Sequence, residues 1–284
     1  MLAQGEFLVM AKLVWVASYP KSGNTWVRAF LHNYIRQPAA PYDINRLTDL
    51  TASDVNAERY ARYDPRPASQ FSLADIQRMR PLVHRDLMAL DPSLVFVKTH
   101  NARLLVEGRP LITPAVTAGA IVVVRDPRDV AVSYSRHRGR PIDETIAFMA
   151  DPKAMTGGTD SKILECLGSW SLHGQSWTAR PDPRVHVLRY ESMVDDPAAA
   201  FAPLISWLGQ DPPPERLARA IGFSRFAELQ TQEQTHGFRE RVPEATGPFF
   251  ASGQPGQWRC VLSPAQQARI ECDHAVVMRR FGYL

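Results

Sequence analysis

Residues 18–26 read SYPKSGNTW, directly after the apolar run LVWVA. A strand that enters a glycine turn and then a helix offers unpaired amides and the positive end of a helix dipole. That combination holds anions, phosphate above all. Lys21 adds a point charge, Ser22 and Thr25 add hydroxyls, and Gly23 lets the backbone approach closely. Two more chemical clusters close apolar runs: Lys98-Thr99-His100 after SLVFV, and Arg125 after GAIVVV. An arginine fork suits a second phosphate. A neutral imidazole such as that of His100 takes up a proton near physiological pH, the work of a general base.

The nucleoside-triphosphate loop, GxxxxGK[ST], is a poor fit. Here the lysine precedes the glycine, and no earlier glycine begins the wrap. A triphosphatase also needs a carboxylate at a neighbouring strand end to hold Mg²⁺, whereas the GAIVVV strand ends in Arg125. The expectation is a cationic, metal-free site. A P-loop nucleotide kinase and a non-catalytic nucleotide-binding module stay open as alternatives.

These residues need elements to position them. Residues 13–17 read as a buried strand and 25–35 as the helix after it. Residues 72–90 have helical periodicity, with Ser72 as N-cap and Pro81 as a break. Strands follow at 93–98, 119–124 and 184–190. The segment 126–137 opens a helix with Asp126 at the cap and Pro127 at its first position. Residues 151–162 read as a loop, 163–180 as helix, 197–208 as helix, and 264–280 as a last helix capped by Ser263. The stretch 243–258 is rich in glycine and proline and is expected to be a mobile flap. Apolar strands alternating with helices predict an α/β fold, a central parallel sheet with helices on both faces. Such sheets hold ligands beyond the carboxyl ends of their strands, where every cluster above falls. No internal boundary stands out, so residues 1–284 are expected to form one domain.

The chain has 284 residues, with Lys and Arg exceeding Asp and Glu by 33 − 29 = 4. That excess suits an anion at one site rather than wrapping of nucleic acid. Cys166, Cys260 and Cys272 are scattered and odd in number, as expected of free thiols in a reducing compartment. With no membrane-length apolar run and a poor signal-peptide pattern at the start, the expected location is the cytoplasm. Met10 is a candidate start, which makes residues 1–9 a disordered extension.

The motifs in their order resemble the cytosolic-type sulfotransferases, which use 3′-phosphoadenosine 5′-phosphosulfate (PAPS). The family's YPKSGTTW is matched by Tyr19 to Trp26, with Asn24 in place of a threonine. Its RDPRDVxxSxxxH is matched from Arg125 to His137, its KTH by Lys98 to His100, and its YED-type segment, more weakly, by RYESMVDDP at 189–197. The resemblance spans most of the chain and implies a P-loop-like sulfotransferase fold. It further implies that Lys21, Ser22, Gly23, Asn24, Thr25 and Trp26 cradle the donor's 5′-phosphate. Arg125 and Ser133 then hold the 3′-phosphate, and Trp26, Tyr190 and Phe226 line the adenine slot with Ser224 nearby. His100 becomes the base, and Lys21, with Lys98, stabilises the leaving phosphate during a direct in-line transfer to a hydroxyl or amine of a small molecule. Trp26 and Phe226 can equally be core aromatics.

The chain also departs from the family. The last signature, RKGxxGDWK, aligns with residues 251–259, where the basic pair has become Ala251-Ser252 while Gly253, Gly256 and Trp258 persist. Gly253 can still offer its backbone N–H to the phosphate. Arg239 and Arg241 are candidates to replace the lost cations, or an ordinary solvated pair. No dimer motif is recognisable. The acceptor's identity is out of reach; Tyr42, Phe71, Met79, Met149 and Phe250 are candidates for an apolar pocket, or for core. No nucleic acid or membrane partner is expected.

Overall fold

The structure, a computed structural model, describes residues 12–284; the proposed extension 1–9 lies outside them. In chain order the main elements are β1 (Leu13–Ser18), α1 (Asn24–Arg36), β2 (Thr51–Ser53), α2 (Leu73–Met88), β3 (Val95–Thr99), β4 (Thr117–Val124), α3 (Pro127–Arg138), α4 (Ile142–Ala150), α5 (Trp170–Thr178), β5 (Val185–Arg189), α6 (Pro197–Trp207), α7 (Pro214–Ser224), α8 (Phe226–His236) and α9 (Pro264–Arg280). The five strands form a parallel sheet in the order β2-β3-β1-β4-β5, with helices flanking it. All six residues of β1 are buried, as are the last six of β4. A strand buried at every position must be covered on both faces, the signature of a parallel sheet between helix layers. The strand order reverses direction at β1, the kind of switch point where open α/β sheets hold ligands.

Two compact units divide the chain. The first comprises the described residues up to Tyr19, then Leu50–Val122 and Asp151–Val185; the second comprises Pro20–Asp49, Val123–Ala150 and His186–Leu284. In the first, Phe71, Ile76, Met79 and Val83 pack with Tyr60 and Ile163 into one apolar cluster. In the second, Phe30 of α1 stacks on Phe201 of α6 with ring centroids 3.8 Å apart.

The elements follow their local signals in most places. Asp126 caps α3 through the Arg128 amide, and Ser72 and Ser263 each close a capping box. Two expectations are corrected. Pro81 does not break α2, which runs through it from Leu73 to Met88. A proline costs about 3 kcal/mol inside a helix, but Ile76 and Met79 before it and Val83 and Leu87 after it are all buried on the same stripe. Packing on both sides offsets the missing hydrogen bond. Residues 163–180 are not one helix either. The Ile163 amide bonds the Val55 carbonyl, and Glu165–Cys166 pair as a short strand with Met155–Thr156. Gly168 turns with φ 64°, and the helix begins only at Trp170, capped by Ser169. Pairing with distant backbone overrides the helical pattern.

Candidate functional site

The residues expected around the donor phosphates all fall in the second unit, and Lys98 and His100 in the first. In the second unit Gly23 is the N-cap of α1, in the left-handed region at φ 107°. A Cβ there would come within 2.8 Å of the Tyr190 ring, so the turn packs against that tyrosine only as glycine. Lys21 is also left-handed, at φ 65°. For a residue with a side chain that is a strained conformation, of the sort concentrated at binding loops.

Arg125 leaves the end of β4 buried, its guanidinium 4.1 Å above the Tyr190 ring. Its Nη1 donates to the Lys21 carbonyl at 3.2 Å. Its Nε, and the Ser22 hydroxyl, are buried without a hydrogen-bond partner among the described residues. Buried donors in that state are costly unless something accepts from them, and a phosphate oxygen is a natural acceptor. Tyr190 in turn donates its hydroxyl to the Gly253 carbonyl at 2.6 Å. Gly253 has φ 71°, and a Cβ on it would lie 2.5 Å from the Phe226 ring. Trp26, almost fully buried, meets Tyr190 edge-on at 5.7 Å. The chain of contacts thus gathers Lys21, Ser22, Gly23, Trp26, Arg125, Tyr190, Phe226 and Gly253. Asn24 and Thr25 open α1 and are buried. Ser133 and Lys21 line one cavity, together with Arg136, His137, Phe249 and Ala251. Ser224 turns away: its hydroxyl donates to the Ala220 carbonyl of its own helix at 2.8 Å.

The stretch read as a flap is tethered. Glu233 accepts from the amides of Phe249 and Phe250, and Asp129 from those of Gly256 and Trp258. Burial pushes the Asp129 carboxyl above its usual range, against the pull of the Gly256 amide. Phe249, which sequence reading missed, lies under Lys21 with its ring centroid 3.3 Å from Nζ. Neither Arg239 nor Arg241 lines that cavity; both are exposed, and the Arg239 amide bonds Asn45.

In the first unit, His100 follows directly on β3 and is held at three points. Its amide donates to Glu165 at 2.7 Å, and its carbonyl is hydrogen-bonded by His173. Its Nδ1 lies 2.8 Å from the Ser18 carbonyl oxygen, which can only accept, so Nδ1 carries the proton. The neutral ring then has its lone pair on Nε2, the arrangement a general base needs. Ser18 precedes Lys21 by three residues in the chain. Behind His100 stands a buried network absent from the sequence reading. Asp54 accepts from Thr99 Oγ1 at 3.1 Å and Asn101 Nδ2 at 3.0 Å, with Arg80 3.5 Å away. Burial raises the Asp54 carboxyl, and burial together with Asp54 pushes Glu165 up to about 7 against Lys98 and the His100 amide. His173, fully buried, is pushed down to about 3, so it stays neutral and makes a fixed donor.

The five candidate acceptor residues are all placed by packing or hydrogen bonds in the fold. Phe71 and Met79 belong to the first unit's apolar cluster. Met149 is buried, Phe250 packs with Phe226, Phe238 and Phe249, and Tyr42 bonds Asp49 at 2.7 Å. No helix among the described residues is long and apolar enough to cross a membrane.

A parallel sheet with a glycine turn leading from its first strand into a helix defines an α/β protein of the P-loop-like class. Within that class the chain belongs to the sulfotransferase domain family, whose profile matches residues 12–282, and it is a sulfotransferase. It is 25% identical over 279 residues to sulfotransferase 1 family member D1 of Mus musculus, across 93% of this chain and 83% of that protein. It is 24% identical over 280 residues to sulfotransferase 1A1 of Bos taurus, across 93% and 82%. Among solved structures, mouse sulfotransferase SULT7A1 complexed with PAP matches with a TM-score of 0.60 at 19% identity, over 98% of this chain and 91% of that one. Retinol dehydratase in complex with retinol and PAP matches at 0.63 and 20% identity, over 94% and 81%.

Proposed function

We propose that the chain moves the sulfuryl group of PAPS to a hydroxyl, or an amine, of a small molecule by direct in-line transfer. The observation that carries this reading is the buried arginine fork at the end of β4. Arg125 reaches the Lys21 carbonyl with one nitrogen and keeps Nε unpartnered beside an aromatic face. A fixed cation at the phosphate turn, with the unpartnered Ser22 hydroxyl in that turn, suits a nucleotide bearing phosphate at two positions. Tyr190 and Phe226 supply aromatic faces for its base, where stacking contributes roughly 1–3 kcal/mol. As the S–O bond breaks, charge grows on the departing phosphate, and Lys21, with Lys98, neutralises it. His100 takes the acceptor's proton on Nε2, while the Ser18 carbonyl holds Nδ1–H and stabilises the imidazolium that forms.

PAP bound in two structural neighbours, and retinol bound in one of them, support a PAPS donor and a small alcohol acceptor. The kinase alternative needs a carboxylate at the end of β4 for Mg²⁺. Asp126 stands there, but it is committed to Arg128 by paired bonds of 3.0 and 2.7 Å and to capping α3. The absence of a metal, a cytoplasmic location and a single catalytic domain are parts of the same proposal. Calorimetry decides the donor: tight binding of adenosine 3′,5′-bisphosphate with weak binding of ATP plus Mg²⁺ is expected, and the reverse preference overturns the reading. Transfer of labelled sulfate from PAPS to a panel of phenols, alcohols and amines separates an enzyme from a module that only binds.

A further inference from the structure

Arg136 is left over from the catalytic scheme. It sits one helical turn beyond Ser133 on α3, and both line the cavity that Lys21 and His137 share with Ala251. No carboxylate side chain contributes to that lining. The nearest anchoring acids of the last loop, Asp129 and Glu233, are spent on backbone amides. The lining thus brings the Lys21 and Arg136 side chains together with the Ser133 hydroxyl. Arg136 is half-buried, and its guanidinium contact is a long one, 3.4 Å to the Gln257 side-chain oxygen. Its carbonyl meanwhile takes the Thr246 amide at 3.0 Å, which pins the last loop to the end of α3. Ala251, which also lines the cavity, has a side chain too short to reach an anion.

We infer that Arg136 supplies the cation that Ala251 and Ser252 do not, binding the donor's 3′-phosphate together with Ser133 and Arg125. The inference rests on the PAPS reading above. It assigns the charge to the helix rather than to the last loop, and it sets aside Arg239 and Arg241. A guanidinium presents two donors in a plane, so it can join Ser133 on adjacent oxygens of one phosphate. The weak Gln257 contact is released at little cost.

The test is calorimetry on the full chain with two probes, adenosine 3′,5′-bisphosphate and adenosine 5′-monophosphate, which differ only in the 3′-phosphate. The parent should prefer the bisphosphate strongly. Arg136→Ala should weaken the bisphosphate about 10–100-fold, the effect of one lost charge-assisted bond, and leave the monophosphate within about 2-fold. Arg136→Lys should recover part of the loss, and Ala251→Arg placed on Arg136→Ala should restore it from the last loop. Arg239→Ala is the control and should change neither probe. If the parent prefers the bisphosphate and Arg136→Ala keeps that preference in full, the assignment of Arg136 is overturned and the donor reading survives. If the parent shows no preference, both fall. Thermal melts identify a variant that fails to fold, in which case Arg136→Gln, which keeps the length and removes the charge, decides with the same two probes.

Discussion

The region around His100 and the region around Arg125, which the proposed function gives to the phosphates, are built on different plans. Around His100, the residue itself is held on three sides: Glu165 on its amide, His173 on its carbonyl, the Ser18 carbonyl on its ring. Around Arg125 and Lys21, cations lie on aromatic faces, 4.1 Å from Tyr190 and 3.3 Å from Phe249. There the donors of Arg125 Nε and Ser22 are left over. Under the proposed function, a ring that presents one nitrogen lone pair needs a single orientation, and these three contacts supply it. The network behind it keeps Asp54 Oδ1 and both Arg80 Nη atoms without hydrogen-bond partners among the described residues. On the same proposal, a loop that accepts and releases a polyanion needs donors kept in reserve. Aromatic faces hold cations at a modest gain, about 0.5–2 kcal/mol, without neutralising them as a carboxylate would.

That contrast predicts different failures for the two regions. The largest effect belongs to His100→Ala, which should slow transfer by about 10²–10⁴-fold and leave adenosine 3′,5′-bisphosphate binding within about 2-fold. A variant that turns over at the parental rate removes His100 from the role of base. Next comes Arg125→Ala, which should weaken that nucleotide by about 10–100-fold through loss of charged hydrogen bonds worth about 1.5–3 kcal/mol. Unchanged affinity in calorimetry would break the phosphate side of the comparison. Gly253→Ala should come third. Its φ of 71° and the Phe226 ring 2.5 Å from any Cβ force the loop to shift, at a cost of about 1 kcal/mol or more. Nucleotide affinity should drop by roughly 10-fold while His100-dependent chemistry per bound donor is preserved, as single-turnover rates at saturating PAPS would show.

The phosphate region was far more legible in the sequence than the histidine region, and the reason is chain distance. Lys21 to Trp26 form one contiguous turn whose glycine, lysine and following helix are local signals, and Asp126-Pro127 announces α3 in the same way. The supports of His100 have no such marks. Asp54 meets Thr99 across 45 residues and Glu165 meets His100 across 65, and neither carboxylate stands in a motif. Glu165 was hidden further because residues 163–180 carry a helical pattern that the pairing with Met155–Thr156 overrules. Pro81 misled for the converse reason: a local breaker lost to a buried stripe that continues past it. Phe249 and Arg136 lie in plain view as residues, but only the fold brings them to Lys21 and Ser133. Sheet class needed only the alternation of apolar strands with helices, and so came through.

The smallest effect sharpens the histidine side of the comparison, because it asks whether the buried carboxylates hold a proton. Glu165 is pushed up to about 7 from an ordinary 4.5, first by burial and then by Asp54. A carboxyl raised in the folded state binds its proton more tightly there than in the unfolded chain. Its contribution to stability is therefore complete below about 4.5 and is lost as pH rises through about 7. Glu165→Gln keeps an oxygen that accepts the His100 amide and cannot titrate, so the variant should lack this slope. It also removes the charge that repels Asp54, whose carboxyl should then fall toward its ordinary range, with Arg80, Thr99 and Asn101 already in place to stabilise the anion. Because Asp54 and Glu165 share the penalty, the net effect should be on the order of 1–3 kcal/mol, a few degrees in Tm. The difference in Tm between variant and parent, followed from pH 5 to pH 8, cancels every group the two proteins share. It should grow in the variant's favour as pH rises. Parallel curves would mean that Glu165 keeps one protonation state throughout, and that the rigidity around His100 owes nothing to a held proton.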